Sequence, residues 1–164
     1  MDEATFDSFY ESSYRGVVAH VYAMCGNMAE AQDCAQEAFV RAWAKRQELD
    51  RSRSPEAWVR TVAYRLAVSR WRKARRALRQ PDRALEDRQA AQPSPDRVAL
   101  VDALAQISPE QRRVIVLHHL CDLSIAEIAE EVGAPAGTVK ARLSRGRAAL
   151  ATFLTDPRTE PSHA

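Results

Sequence analysis

Residues 108–150 read SPEQRRVIVLHHLCDLSIAEIAEEVGAPAGTVKARLSRGRAAL, a run that predicts three consecutive helices, the last two joined by a tight turn. Ser108, Pro109 and Gln111 spell a helix start: serine as N-cap, proline in the first helical position, and glutamine three residues on to close the box. Ser124-Ile125-Ala126-Glu127 repeats the signal and opens a helix whose Ile125, Ile128, Ala129 and Val132 share one face. Gly133 then supplies a left-handed stop. A third helix is expected from near Thr138, with Val139, Leu143 and Leu150 turned inward and Lys140, Arg142, Arg145 and Arg147 on the remaining faces.

A short helix with one apolar face, a glycine turn and a basic helix form the pattern of a helix-turn-helix, whose second helix fits a major groove. A merely solvated helix face mixes both signs of charge. Residues 140–147 carry four cations and no carboxylate, which points to phosphates and guanine edges instead.

The whole chain narrows the class. Its 164 residues suit one or two small domains, and an apolar fraction of 46% is enough for cores. No run of apolar residues is long enough to span a bilayer, and the acidic start MDEATFDSFYESSY lacks a charged-then-apolar leader, so a cytoplasmic protein is expected. Cys25, Cys34 and Cys121 are odd in number and far apart, which does not suggest a disulfide framework. Five glycines and no valine-rich alternation predict an all-α fold. The net charge of +2 hides segregation: residues 1–50 hold nine acids and four bases, whereas residues 51–83 hold eleven bases and two acids. Residues 98–133 are acidic again and residues 134–150 basic, so two basic patches for nucleic acid are separated by acidic surfaces with another task.

In chain order, Phe6, Phe9, Tyr10, Tyr14, Val17, Val18, Val21 and Tyr22 recur at three- and four-residue spacing, a core-facing helix that Gly26 ends. Asn27-x-x-Glu30 restarts a helix to about Gln47, with one stripe of Ala31, Cys34 or Ala35, Ala38 and Ala42. A second surface carries Asp33, Gln36, Glu37 and Arg41 with Phe39 and Trp43 between them, and these two aromatics read equally as core or as partner contacts. Leu49–Arg53 reads as a polar loop. Ser54-Pro55-Glu56 then caps a helix to about Arg79 that buries Trp58, Val62 and Leu66, with Val59, Ala63 and Ala67 on the flank. Beyond Val68 that helix becomes basic on every side around Trp71, a surface for tracking phosphates and stacking on a base. Residues 80–97, with three prolines and no apolar periodicity, read as a flexible linker between helical domains at 1–79 and 98–154, the second a helix-turn-helix; the tail after Leu154 reads as disordered.

Taken together these segments resemble the extracytoplasmic function (ECF) group of bacterial RNA polymerase sigma factors. Asp33-Cys-Ala-Gln36-Glu37-Ala-Phe39-Val-Arg41-Ala-Trp43 resembles the part of region 2 that docks on the clamp helices of the polymerase's largest subunit. Pro55-Glu-Ala-Trp58-Val-Arg60-Thr-Val-Ala63 and the arginine-rich run resemble the part that captures and opens the −10 element. Ser108-Pro-Glu-Gln-Arg112-Arg113 and Gly137-Thr138-Val139-Lys140-x-Arg142-Leu143-x-Arg145-x-Arg147 resemble region 4, which reads the −35 element.

The resemblance implies core RNA polymerase, promoter DNA and an anti-sigma protein as partners; the sequence shows no nucleophile-base-orienter set and no phosphate-cradling glycine loop, so neither catalysis nor a cofactor is expected. It implies polymerase contacts from Asp33, Gln36, Glu37, Phe39, Arg41 and Trp43. It implies −10 contacts from Arg60, Arg65, Arg70, Trp71, Arg72 and Lys73, with the loop Leu49–Ser54 near a flipped base. The −35 contacts would be Thr138, Lys140, Arg142, Ser144 and Arg145, with Arg142 and Arg145 each open to a guanine or a phosphate. Tyr64-Arg65 stands where the family commonly has Arg-Asn, and Ser69 where Asp is usual, so the −10 preference does not carry over. No long extension follows region 4, so no C-terminal regulatory domain is expected.

Two rival readings exist. His118-His119-x-Cys121, with His20, Cys25 and Cys34 elsewhere, supplies zinc-ligand types, but adjacent histidines diverge on a helix and no paired CxxC is present. A stand-alone helix-turn-helix regulator would need a symmetric dimer interface, for which the two-faced helix around Trp43 is the sole support.

Overall fold

A computed structural model of the chain describes residues 1–51, 54–77 and 94–154, the side chains of residues 75, 77 and 154 apart. Among the described residues all regular structure is α-helical, in two compact units that divide at Pro93 and Ser94.

The first unit is built on α1 (Glu3–Cys25), α2 (Met28–Ala44), a one-turn α3 (Arg46–Leu49) and α4 (Pro55–Ala77). Asp2 caps α1 by accepting from the Thr5 N–H at 2.8 Å, and Gly26 closes it at φ 74°, a left-handed conformation that suits a residue without Cβ. The Asn27 side chain accepts from the Glu30 N–H at 2.9 Å and starts α2 at once, so α1 and α2 form a tight hairpin. The seam of α2 is made of small residues: Ala31, Cys34, Ala35, Ala38 and Ala42 are all fully buried, and α2 packs on both α1 and α4. Val17 and Val21 of α1 and Val59 and Ala63 of α4 meet it, also with no exposure. Phe6, Phe9, Tyr10 and Tyr14 surround Phe39 at ring-centroid distances of 4.9–6.5 Å and close one end of the core.

Three expectations are corrected here. Helix α2 stops at Ala44 rather than near Gln47, because Lys45 breaks the run before α3. Leu49, read as a loop residue, is buried at the end of α3; Arg53 lies outside the described residues. The inward stripe of α4 is Val59, Ala63 and Ala67, and the bulkier Trp58, Val62 and Leu66 are half-buried on the flank. A seam of alanines leaves room for small partners and little for an indole. Ser54 Oγ accepts from the Ala57 N–H at 3.2 Å, as expected of its cap, and the expected end of the helix near Arg79 lies outside the described residues.

The second unit contains α5 (Pro95–Ala105), α6 (Pro109–His119), α7 (Ile125–Val132) and α8 (Ala136–Leu154). Helix α5 begins inside the stretch read as linker: Ser94 is its N-cap and Pro95 its first residue. The rest of that linker, residues 80–93, and the tail beyond residue 154 lie outside the described residues. Ser108 accepts from the Gln111 N–H at 3.3 Å, and the Ser124–Glu127 pair forms a complete capping box, with bonds of 3.3 Å and 2.8 Å. Gly133 closes α7 at φ 66°. Helix α8 starts at Ala136, two residues before the expected Thr138, with the Val139 N–H already donating to the Pro135 carbonyl at 3.1 Å.

Ile128, Val139, Leu143, Val114, Val116, Leu117 and Leu104 make the core of this unit. Arg112 fastens α5 to α6: its guanidinium donates to the carbonyls of Leu104 at 2.7 Å, Ala105 at 3.2 Å and Ile107 at 3.3 Å, at and just beyond the C-terminal end of α5. Gly146 marks a close approach of α8 to α6, since a Cβ there would lie 2.5 Å from Ile115 Cδ1 and 3.3 Å from Gln111 Cβ.

Gly146→Ala should therefore lose stability. Alanine favours a helix by about 1 kcal/mol over glycine, but displacing packed Ile115 costs about 1–3 kcal/mol. Gly137→Ala, with nothing within 4 Å of its Cβ, should have the opposite sign; thermal melts of the two variants check this.

Candidate nucleic-acid and partner interfaces

The capping box and Gly133 orient α8 by fixing both ends of α7, and α8 then turns Val139, Leu143 and Gly146 inward. That leaves Lys140, Ser144, Arg145 and Arg147 exposed, with Thr138 and Arg142 half-buried along the opposite border of the buried stripe from Lys140 and Ser144. The expected −35 residues thus share the N-terminal half of one solvent-facing helix. Arg147, further along, donates from Nε to His119 Nε2 at 3.2 Å. Burial, with the charges of Arg147 and His118 beside it, holds the His119 imidazole below the usual histidine range and keeps Nε2 available as an acceptor.

His118 and His119 lie edge to face, with ring centroids 4.9 Å apart, closer than expected of neighbours that diverge. The His118 Nδ1–H donates to the Leu123 carbonyl at 2.8 Å, so His118 is engaged with the turn from α6 to α7 and His119 with α8. Among the described residues no group of three or more His, Cys, Asp or Glu side chains is placed to hold a metal ion. Also among the described residues, no helix is long and apolar enough to cross a membrane.

On α4 the basic residues separate into three fates. Arg60 is 3% exposed and its Nη1 lies 2.7 Å from Glu56 Oε1, a pair held within one helix; the expectation that it faces DNA gives way to a structural position. Arg70 turns toward α2, with Nη1 3.4 Å from Glu30 Oε1 and 3.9 Å from Asp33 Oδ2. Among the described side chains Arg65, Arg72, Lys73 and Arg76 remain, and with Tyr64, Val68 and Ser69 they line one shallow groove on the face opposite the core. Trp71 flanks it at 55% exposure. Tyr64, one of the departures from the family pattern, stacks on the buried His20 ring with centroids 6.3 Å apart, which ties that edge of the groove to α1.

The outer face of α2 carries Asp33, Gln36, Glu37, Arg41 and Trp43 together, as expected, with Arg41 Nε 2.8 Å from Glu37 Oε1. Phe39 is not on it; buried among the α1 aromatics, it belongs to the core. Trp43 is shared between the two roles: it packs edge-on against Phe6 at 5.0 Å while the Arg46 guanidinium covers its outer face at 4.2 Å. The residue that sequence reasoning missed is Val40. It is 65% exposed in the middle of this face, and its position between Phe39 and Arg41 in a helical phase set by the alanine seam was the available signal.

Known proteins share this organisation. Residues 9–77 match the family described as Sigma-70 region 2, and residues 97–150 match Sigma-70, region 4. The chain is 35% identical over 156 residues to the ECF RNA polymerase sigma factor SigW of Bacillus subtilis (strain 168), over 82% of this chain and 81% of that protein. It is 30% identical over 164 residues to the ECF RNA polymerase sigma factor SigL of Mycobacterium tuberculosis, over 94% and 92%. Among solved structures it is similar to the sigma factor RpoE of Bartonella quintana, solved in complex with the anti-sigma factor NepR. The TM-score there is 0.79 at 25% identity, covering 94% of this chain and 99% of that one. CnrH, solved in complex with the cytosolic domain of CnrY, has the same fold, with a TM-score of 0.73 at 21% identity over 93% of this chain and 89% of that one. With a region 2 unit and a region 4 unit in this order, the chain belongs to the ECF group of RNA polymerase sigma factors, which direct transcription.

Two consequences follow from the geometry. Arg60→Gln should lower stability by about 2 kcal/mol, since it removes a charged hydrogen-bond partner from a buried position; denaturant unfolding measures it. Burial pushes the Cys34 thiol up to about 12, with Glu30 and Cys25 adding to the rise and Arg70 opposing it. The thiolate is the species that alkylates, and below that pH Cys34 stays protonated. At about pH 8, iodoacetamide should therefore label it roughly tenfold or more slowly than the half-buried Cys25 and Cys121, with the difference vanishing on unfolding.

Proposed function

We propose that this sigma factor divides its work over three faces. The outer face of α2, with Asp33, Gln36, Glu37, Val40, Arg41 and Trp43, docks on the clamp helices of core RNA polymerase. The groove of α4, with Arg65, Arg72, Lys73 and Arg76 and with Trp71 at its flank, takes the opened −10 strand. The N-terminal half of α8, with Thr138, Lys140, Arg142, Ser144 and Arg145, takes the −35 major groove. The observation that carries this reading is the separation of chemistries within the first unit. One helix shows four cations and no carboxylate in its groove, while its neighbour shows an exposed valine and a half-exposed tryptophan among mixed charges.

Each face suits its task physically. Cations spaced along one helix face release counterions from successive phosphates, and an aromatic beside them stacks on an unstacked base. A partner surface is better served by an exposed aliphatic centre with an aromatic at its edge than by isolated charges. In α8, cations on an exposed helix meet the phosphates and purine edges of the groove. The protein makes no bond itself; it works in the cytoplasm beside the polymerase, and chemistry belongs to the enzyme it recruits. The likeness to a sigma factor solved with its anti-sigma factor supports an inhibitory protein partner for this chain as well.

Run-off transcription with purified core polymerase on pooled genomic promoter fragments tests the reading. Transcripts should require this protein. Val40→Asp should weaken polymerase binding about tenfold or more without lowering the melting temperature, and Arg142→Ala should remove transcripts that depend on the −35 element. Promoter DNA shifts without polymerase, indifferent to Val40→Asp, would instead make the chain a stand-alone helix-turn-helix regulator. Pull-downs that return polymerase but no inhibitor under every growth condition would count against the anti-sigma partner.

A further inference from the structure

Arg147 lies outside the set of residues expected at the −35 element, yet α8 places it beside them. Lys140, Ser144 and Arg147 stand at i, i+4 and i+7, and all three are exposed. They form one row along a border of the buried stripe of Val139, Leu143 and Gly146. The row carries a cation at each end, ~10 Å apart along the helix axis.

The arginines of this chain differ in what holds them. Arg41, Arg60 and Arg70 each pair with a carboxylate, which offsets the charge they bring. Arg147 instead donates from Nε to His119 Nε2 at 3.2 Å. A neutral imidazole orients a guanidinium without neutralising it. Helix α8 adds no competitor, since it has no Asp or Glu between Ala136 and Leu154. The bond from Nε fixes the plane of the guanidinium and leaves its Nη1–Nη2 end as a fork for another acceptor.

His119 is itself steadied. Its ring meets that of His118 edge to face at 4.9 Å, and His118 is tied through Nδ1 to the Leu123 carbonyl at 2.8 Å. The holder of Arg147 is thereby built into the end of α6 and the turn that leads to α7. Burial, and then the charges of Arg147 and His118, hold the His119 imidazole below the usual histidine range, which favours the neutral ring that accepts.

We propose that Arg147 is a further phosphate contact of the −35 face and that His119 is the positioning residue that aims it. In a helix-turn-helix the N-terminal part of the second helix meets base edges, while the first helix crosses the backbone. Arg147, two turns beyond Lys140 and held from the turn into α7, belongs to the backbone side of that arrangement. A contact of this kind adds affinity and fixes register without reading sequence. The proposal rests on the assignment of α8 to the −35 element, and it gives the histidine pair a task other than holding a metal.

Binding of the full chain on core polymerase to a fluorescein-labelled duplex tests it. The duplex is the promoter fragment that gives the strongest run-off transcript, salt is varied, and melting temperature checks folding. Arg147→Gln should weaken binding about three- to tenfold and lower the slope of log K against log salt by roughly 0.9, one phosphate fewer. His119→Phe keeps a ring but removes the acceptor. It should weaken binding about two- to fivefold with the slope nearly unchanged, because the contact is still made by an arginine that must first be ordered. His119→Gln supplies a neutral amide oxygen and should hold binding within about twofold of the native chain. In an Arg147→Gln background His119→Phe should change binding less than about 1.5-fold. An equal loss with and without Arg147, or no rescue by glutamine at an unchanged melting temperature, would make His119 a structural residue only. An unchanged slope on Arg147→Gln would remove the phosphate contact. Lys140→Gln separates this proposal from the reading beneath it. If neither Lys140→Gln nor Arg147→Gln weakens binding, α8 is not the −35 helix; if only Lys140→Gln does, the −35 reading stands and the role of Arg147 falls.

Discussion

The small-residue seam of α2 is the constraint on which the first unit depends. Alanines and one cysteine with no solvent exposure let α1 and α4 approach α2 closely, and a close approach excludes long side chains from the contact. Apart from Phe39 and Arg60, the long or charged described side chains of α2 and α4 are therefore pushed to their outer surfaces or to the borders between helices. The basic groove, the exposed Val40 and the loosely held Arg70 are consequences of that exclusion. The thiol of Cys34 records the dryness of the seam, since burial is the main cause of its raised pKa.

The second unit solves a different problem with similar means. A recognition helix is useful only if most of its surface stays in water, so it must be held by few contacts, each of them close. Val139 and Leu143 provide ordinary burial, and Gly146 provides a place where Ile115 occupies the space a side chain would need. The capping box on α7 and the left-handed Gly133 remove slack from the turn, and Arg112 closes the carbonyl end of α5 that α6 follows. The position of the cations on α8 is then set by caps and packing on the neighbouring helices α5, α6 and α7.

Local signals were legible in the sequence and phase was less so. Gly26, Asn27, Ser54, Ser108, Ser124 and Gly133 act within a few residues, and each stands where a cap or stop was expected. The inward stripe of α4 was misread because two stripes share the same period. Trp58, Val62 and Leu66 carry more apolar area than Val59, Ala63 and Ala67, and the choice depends on the partner surface, which lies some thirty residues earlier in the chain. The first turn of α5 was hidden by a proline that reads equally as linker and as a first helical residue. The site was legible as charge patterns: the expected residues of α8 are spread around its solvent-facing side, while Arg60, expected as a −10 contact, lies inward, and Phe39, which read equally as core or contact, is core. A periodic aromatic or arginine is named by its spacing, but whether it faces solvent is decided by what its neighbours leave room for.

The arginines of α4 show how far identity underdetermines role. Arg60, Arg70 and Arg72 share a helix, a charge and a side chain, and differ in burial and in the distance to a carboxylate. At 2.7 Å and buried, the charge is part of the fold, because parting the pair leaves a cation without water. Without a carboxylate in its groove, Arg72 keeps its charge for an incoming phosphate. At 3.4 Å and 3.9 Å in partial solvent, Arg70 lies between those limits, held by an ion pair that water and salt weaken. The residue type names the charge; burial and the nearest carboxylate decide whether that charge is satisfied within the fold or left to a ligand.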